Sequence, residues 1–509
     1  MFENQPKGLY ALALANTGER FGYYTMIAVF SLFLRANYGL SASWAGEIYS
    51  DFLMLVYFLP IVGGWLADRF GFGRMVTTGI LVMFAGYLLL SVPLGGDTLA
   101  LVVMLAALVL IGLGTGLFKG NLQVMVGDLY NDSRYAAQRD TGFSIFYMAI
   151  NIGALFAPTA AIKIMEWAQT SLGVSENDSY HFAFAVACVS LILSIGIYYA
   201  FRKTFRHVEG GTKKEEQKSE VVELSKEETK KRIVALCLVF GVVIFFWMAF
   251  HQNGLSLTYF ADEFTAQSSN GLESMAFDVW NLVLIIVGVY AGFSIFQSKT
   301  GKGKGISAVI LAGVLGLLVW KYYRLTGEVS ISAPIFQQFN PFYVVALTPV
   351  SLAIFGALAK KGKEPSAPRK IAYGMLVAAL AYCFMSVGSI GLPMPSTEIN
   401  EAGETVALHV ADVSPQLLIY TYLILTFAEL LLSPMGISFV SKVAPPKYKG
   451  LMMGGWFVAT AIGNKLVGVG GYLWGNIPVW AVWCVFLGVC LVAAIFMFAI
   501  MRKLEDATK

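Results

Sequence analysis

The 509-residue chain is poor in charge. Only 13% of its residues are Asp, Glu, Lys or Arg, against about 25% in an ordinary soluble protein. That shortage excludes the three or four soluble domains this length would otherwise hold. A net charge of +4 over this length steers no nucleic acid. Cysteine is scarce: Cys188, Cys237, Cys383, Cys484 and Cys490 all stand in apolar runs, none in a CxxC pair. Neither a disulfide framework nor a metal site is expected, and no cofactor is implied. Gly-x-Ser-x-Gly, His-Glu-x-x-His and paired-Asp motifs are missing, so an enzyme is not expected. What is abundant is apolar surface. Hydrophobic residues make up 57% and aromatics 14%, with 51 glycines and a mean hydropathy of +0.67. The chain reads as an all-α polytopic membrane protein whose partner is the lipid bilayer. The first apolar run, from about Gly8, is too long for a signal-peptide core and reads as a retained helix.

A membrane-crossing helix needs about 20 apolar residues. Fourteen segments qualify, at roughly 8–36, 43–67, 75–95, 98–126, 141–167, 181–202, 232–259, 276–297, 305–325, 340–359, 371–392, 413–440, 451–474 and 478–502. With the N-terminus cytoplasmic, 29 of the 36 Lys and Arg residues fall on cytoplasmic segments, which places both termini inside. Residues 202–232 carry 17 charges of nearly balanced sign, a cytoplasmic tether or surface helix between two halves. The expected organisation is a six-helix bundle over 1–202, a charged linker over 203–231, and a second bundle over 232–509 with two extra helices at about 276–325. The loop 393–412 is acidic and polar, and is expected outside.

Ionisable groups within a span are costly and mark function. They are Glu19 and Arg20 in span 1, Asp51 in span 2, Lys119 in span 4, His251 in span 7, Glu429 in span 12 and Lys465 in span 13. Adjacent helix residues do not face each other, so Glu19 reads as a separate cavity charge rather than the neutralising partner of Arg20. Glu19, Arg20 and Lys119 then sum to +1 and suit an anionic group, Arg20 as a fork and Lys119 as a point charge. Glu429 in the other half makes the site dipolar, fit for a zwitterion. Tyr23, Tyr24, Tyr57, Tyr147, Trp247 and Trp456 stand on the same spans, and Asn151 and Asn340 can bond either a ligand or a neighbouring helix.

Gly64-Trp65-Leu66-Ala67-Asp68-Arg69-Phe70-Gly71-Phe72-Gly73-Arg74 after span 2 resembles the G-x-L-A-D-R-x-G-x-x-R loop of the major facilitator superfamily, echoed weakly at 356–363. Its Asp and Arg are expected to brace two helices. Glu19-Arg20-Phe21-Gly22-Tyr23-Tyr24, the run 143–155, Gly114-Thr115-Gly116-Leu117-Phe118-Lys119, Phe246-Trp247, Asn340-Pro341, Glu364-Pro365-Ser366 and Ala428-Glu429 with Ser433-Pro434 resemble motifs of the proton-coupled oligopeptide transporter family over nearly the whole chain. The resemblance implies the major facilitator fold, two six-helix bundles plus two extra helices. It implies import of di- and tripeptides by alternating access, coupled to protons, by a monomer in the cytoplasmic membrane. Arg20 and Lys119 would hold the peptide carboxylate, and Asn151, Asn340 and Glu429 its amino terminus. Tyr24, Tyr57, Tyr147, Trp247, Trp456 and Ser433 would line the pocket.

Four positions depart from the family pattern. Its first motif Glu is Asn16, its Arg after the Tyr pair is Ile27, its span 7 acid is His251 and its Pro after the span 4 Lys is Gly120. Joint loss of the Arg and the acid avoids an orphaned buried charge, but it removes the family's gating pair. The proton then falls to Glu19, His251 or Glu429, His251 because imidazole titrates near neutrality. The departures leave a second cargo open, another small anionic or zwitterionic metabolite, and also altered or absent proton coupling.

Overall fold

The computed structural model describes residues 5–210, 224–399 and 405–507. It is almost wholly helical, with long helices α1 (Lys7–Tyr38), α2 (Ala42–Phe70), α3 (Phe72–Leu90), α4 (Thr98–Asp128), α5 (Arg139–Leu172), α6 (Glu176–Ala200), α7 (Lys226–Phe250), α8 (Val279–Gln297), α9 (Gly301–Arg324), α10 (Phe339–Lys360), α11 (Ala367–Gly388), α12 (Gln416–Val443), α13 (Lys449–Leu466) and α14 (Val479–Ala499). These stand where the fourteen apolar segments are read. Among the described residues, twelve helical segments are long and apolar enough to cross a membrane. α1 and α13 fall outside that set. α1 carries Asn16, Glu19, Arg20 and the adjacent Tyr23 and Tyr24, and α13 carries Asn464 and Lys465, so their polar groups dilute the apolar run. The protein is a multi-pass membrane protein.

Helix ends follow capping chemistry. Ser41, Asp97, Ser175, Ser225 and Asp278 accept a backbone N–H from the first turn of their helices. Ser225 starts α7 at Lys226, so the end of the charged stretch is helical and continuous with α7. Residues 211–223 of the expected linker lie outside the described residues.

Two spans are broken. Helix α7 stops at Phe250 and gives way to a 3₁₀ turn, His251–Gly254, then a short helix, Ser256–Glu263. The buried Gln252 amide donates to the carbonyls of Met248 and Val467, and Val467 is where α13 breaks before the short helix Gly468–Leu473. The two breaks therefore face each other. The expected loop 393–412 contains paired strands, β1 (Thr397–Ile399) and β2 (Thr405–Ala407).

Packing relies on small residues, as between membrane helices generally. Gly18 and Gly22 turn one face of α1 to Ser194, Ser190 and Ala187 of α6; a Cβ on Gly22 would stand 2.5 Å from the Ser190 hydroxyl. That contact turns the Glu19–Arg20–Tyr23–Tyr24 side of α1 away from α6. Helices α1–α6 pack on one another, as do α7, α11, α12, α13 and α14. The two sets meet near the C-terminal end of α1, here called the distal face. There α2 crosses α13 and the short helix Gly468–Leu473, and a Cβ on Gly46 would lie 3.0 Å from the Gly471 Cα. The opposite face, at the N-terminal end of α1, is the proximal face.

Among the described residues, the charges of the Gly64–Arg74 loop make no ion pair that braces two helices. Asp68, Arg69 and Arg74 are exposed, and Arg69 lies over the Trp65 ring, 4.2 Å from its centroid. Glu209 holds this loop instead. Its carbonyl accepts the Gly73 N–H, while its carboxylate takes Arg202 at 2.7 Å and the Tyr198 hydroxyl at 3.0 Å.

Candidate substrate-binding site

Glu19 and Arg20 do face each other. The Arg20 Nε and Nη2 donate to the two Glu19 carboxylate oxygens, each at 2.5 Å, and both side chains are buried. The adjacency rule concerns Cβ directions; the long Arg stem folds its fork back onto the preceding carboxylate and satisfies both oxygens at once. The expected free +1 cluster is therefore a closed pair plus one lysine. Lys119 is that lysine: among the described residues it makes no ion pair, and its Nζ sits 4.0 Å from the centroid of the Tyr57 ring. A cation resting on a π-face keeps its donors for another acceptor.

Across from them, the Asn340 amide of α10 donates to the Glu429 Oε2 at 2.8 Å and to the Thr426 hydroxyl oxygen at 3.0 Å. This joins α10 to α12 and holds the carboxylate in one rotamer. The Tyr147 hydroxyl of α5 is a further neighbour of Glu429. Among the described residues Glu429 has no cation partner. A buried carboxylate so placed costs several kcal/mol unless a proton or a ligand cation neutralises it. Asn151 donates to the carbonyl of Tyr147 in its own helix, at 3.0 Å, which leaves its amide oxygen for a donor.

Aromatic rings fill the space between the two poles. Tyr24 and Tyr57 stand within electrostatic reach of both Arg20 and Glu429, and Tyr24 meets Tyr23 edge-on at 5.2 Å. Trp247 is buried and stacks on His251 at 5.0 Å. Trp456 packs over Gly436 of α12, where any Cβ would overlap its ring; Ser433 lies one turn from that glycine. Tyr147 keeps 44% of its surface exposed, and Pro434, proximal to Glu429 on α12, is exposed too.

His251 is held rather than free. Its Nδ1 lies 2.5 Å from the Asn464 Oδ1 of α13, and its ring is 6.0 Å from that of Tyr57. Asn464 was not singled out from sequence, although a buried amide in an apolar span is a visible signal. Nor were Arg35 and Glu263, which pair at 2.5 Å across the distal face with Glu263 also accepting the Trp474 indole N–H. Asp51 and Lys465, singled out as separate intramembrane charges, bond one another at 2.5 Å, with Glu47 as a second partner of the lysine.

Relatives share this architecture. The POT family profile matches residues 73–225 and 323–475. The chain is 29% identical over 500 residues to an uncharacterized transporter, YclF, of Bacillus subtilis, covering 94% of this chain and 90% of that one. It is 26% identical over 501 residues to the di-/tripeptide transporter of Lactococcus lactis, covering 91% and 89%. A crystal structure of the peptide transporter POT in complex with alafosfalin superposes with a TM-score of 0.72 at 26% identity, covering 100% of this chain and 97% of that one. The relatives are transporters, not enzymes. With the profile spanning more than half of its length, the chain belongs to the POT family of membrane transporters.

Proposed function

We propose that the protein imports di- and tripeptides across the cytoplasmic membrane, coupled to protons, with both termini inside and the proximal face therefore cytoplasmic. The observation that carries this reading is the separation of charge. Arg20 and Lys119 stand on the first six helices and Glu429 with Asn340 on the later ones, with tyrosines between. A free carboxylate at one end and a free amine at the other are what such a site recognises. One chain supplies every group, so a monomer suffices. The relatives named for di- and tripeptides support the cargo.

The closed Glu19–Arg20 pair supplies a route to coupling. While Glu19 is ionised it occupies the Nε–Nη2 edge of the Arg20 guanidinium, the edge that can take a carboxylate bidentately. A proton on Glu19 weakens both bonds and frees the guanidinium for the peptide carboxylate, so proton and peptide are bound together. The two six-helix sets then rock about the site, which opens alternately to either face. Glu19 carries the proton in this scheme, although Asn16 stands where the family has its first acid. His251, fixed by Asn464, orients the Trp247 ring.

The test is binding of a dipeptide, its C-terminal amide and its N-acetyl form. Each block removes one charged contact worth about 1.5–3 kcal/mol, so each should weaken binding tenfold or more. Equal binding of all three would refute the dipolar site. Uptake into proteoliposomes with and without an inward proton gradient tests the coupling; displacement of the dipeptide by unrelated anions would favour a different cargo.

A further inference from the structure

The family's gating pair is replaced here by Ile27 and His251, yet the distal face is shut. Among the described residues, two ionic clusters join the first six helices to the later ones, and they differ in kind. Arg35 and Glu263 are buried, with both Glu263 oxygens also accepting from Trp474, so parting them would strand a desolvated charge. Lys465 of α13 lies between Glu47 and Asp51 of α2, one helical turn apart, with its side chain 32% exposed and theirs 51% and 48%. This second cluster is half-exposed, and parting it strands no fully buried charge. It carries two carboxylates for one ammonium, and like charges at i and i+4 repel when that cation leaves.

Its position links it to the site. Asn464, the residue before Lys465, binds His251, and His251 stacks on Trp247 beside Tyr57, which lies under Lys119. The end of α13 thus touches the substrate site with one side chain and α2 with the next. The glycine contact between Gly46 and Gly471 lies beside the cluster; it lets the helices approach but gives no polar bond that holds them.

We propose that Lys465, clasped between Glu47 and Asp51, is the latch that keeps the distal face closed, and that it does the work of the missing gating pair. The proposal rests on the transport reading above. Opening the distal face requires the ammonium to leave both carboxylates and water to take its place. Closing re-forms the clasp and returns α13, with Asn464, against His251.

Ile27 is buried on α1 between the tyrosines and the distal face, next to Ala28, whose carbonyl accepts from Gln337 of the later helices. In a chain without its native cysteines, an Ile27→Cys thiol reports distal opening through its reaction with a membrane-impermeant maleimide. The experiment uses the full-length protein in oriented vesicles, with reagent applied to each side in turn. Lys465→Met, and separately Glu47→Gln with Asp51→Asn, should raise labelling by about fivefold or more, the lower end of measured coupling between sites. Lys465→Arg should keep it low. Asp51→Lys with Lys465→Asp, on a Glu47→Gln background, should bring it back down. Dipeptide binding in each variant confirms that the chain is folded. Unchanged labelling in folded latch variants, or labelling of Lys465→Arg equal to that of Lys465→Met, overturns the latch. Enhanced labelling that arrives from the cytoplasmic side reverses the proposed orientation while upholding the latch.

Discussion

Replacing Glu19 by Gln mimics a protonated Glu19 and tests the coupling scheme at its centre. In the resting protein the Arg20 fork makes two charge-assisted bonds to Glu19, both at 2.5 Å and both buried. Such bonds contribute about 1.5–3 kcal/mol each, and a peptide carboxylate that takes the Nε–Nη2 edge must displace them. The Gln amide keeps one neutral acceptor near the fork, so about half of the cost is removed. Binding should tighten by about 1.5–3 kcal/mol, a tenfold to hundredfold fall in Kd. The same substitution leaves the guanidinium buried without its counter-charge, which costs about 3–5 kcal/mol when a buried pair loses one member. The empty variant should therefore melt earlier than the parent. Dipeptide at a hundred times its Kd should return about 2.7 kcal/mol of that loss. Calorimetric titration at several pH values and thermal unfolding in detergent, each with and without dipeptide, read both effects. Binding by the variant should also lose its dependence on pH, and uptake should no longer follow an imposed proton gradient. A variant that binds more weakly than the parent, or still accumulates peptide on the gradient, refutes Glu19 as the proton carrier.

Lys119→Met should weaken dipeptide binding about tenfold to a hundredfold, by one charged contact, and leave the melting temperature nearly unchanged, because Lys119 leaves no carboxylate orphaned; titration and thermal unfolding check this. Glu429→Gln should weaken the free dipeptide but not its N-acetyl form, so the ratio of their affinities should collapse towards one in a competition assay. Outside the spans, His409 offers a pH effect of known sign. Desolvation works against its charged form, but bonds to the Asp262 carbonyl and the Asp412 carboxylate outweigh it and raise its pKa above the ordinary 6.5. A group whose folded pKa is raised contributes stability that is fully present below its unfolded pKa and lost as the pH rises through the folded value. His409→Gln should therefore flatten the melting temperature between mildly acid and mildly alkaline pH, as a series of melts at graded pH would show.

Sequence and structure agree best where one residue type had one physical use. Charges in apolar runs pointed to Arg20, Lys119 and Glu429, and the fold brings these around shared tyrosines. They parted where the outcome depended on which neighbour a side chain reaches. Glu19 was legible as a cavity charge, but its bond to Arg20 depends on the rotamer of a long side chain, which spacing along a helix does not fix. Lys465 and Asp51 were legible as isolated intramembrane charges; that they are each other's partner follows only from the crossing of α2 over α13, 414 residues apart in sequence. The breaks after Phe250 and Leu466 were read as uninterrupted spans because hydropathy continues through them. A tertiary bond joins the two breaks, from the Gln252 amide to the Val467 carbonyl, and hydropathy carries no sign of it.

The same contrast explains how this chain can lose a gating pair without losing a gate. A buried ion pair contributes little net stability, because desolvation offsets most of its attraction. Its value to a transporter lies in being present in one state and absent in the other, and any pair that spans the moving interface serves. Ile27 and His251 remove charge at one crossing without an orphan, and Glu47, Asp51 and Lys465 place charge at another, on helices that already meet through Gly46 and Gly471. The function constrains where the two helix sets must part and how tightly they are held; it does not fix which residues hold them. An intramembrane charge whose partner lies in the other half is therefore a better guide to the gate than conformity to a motif.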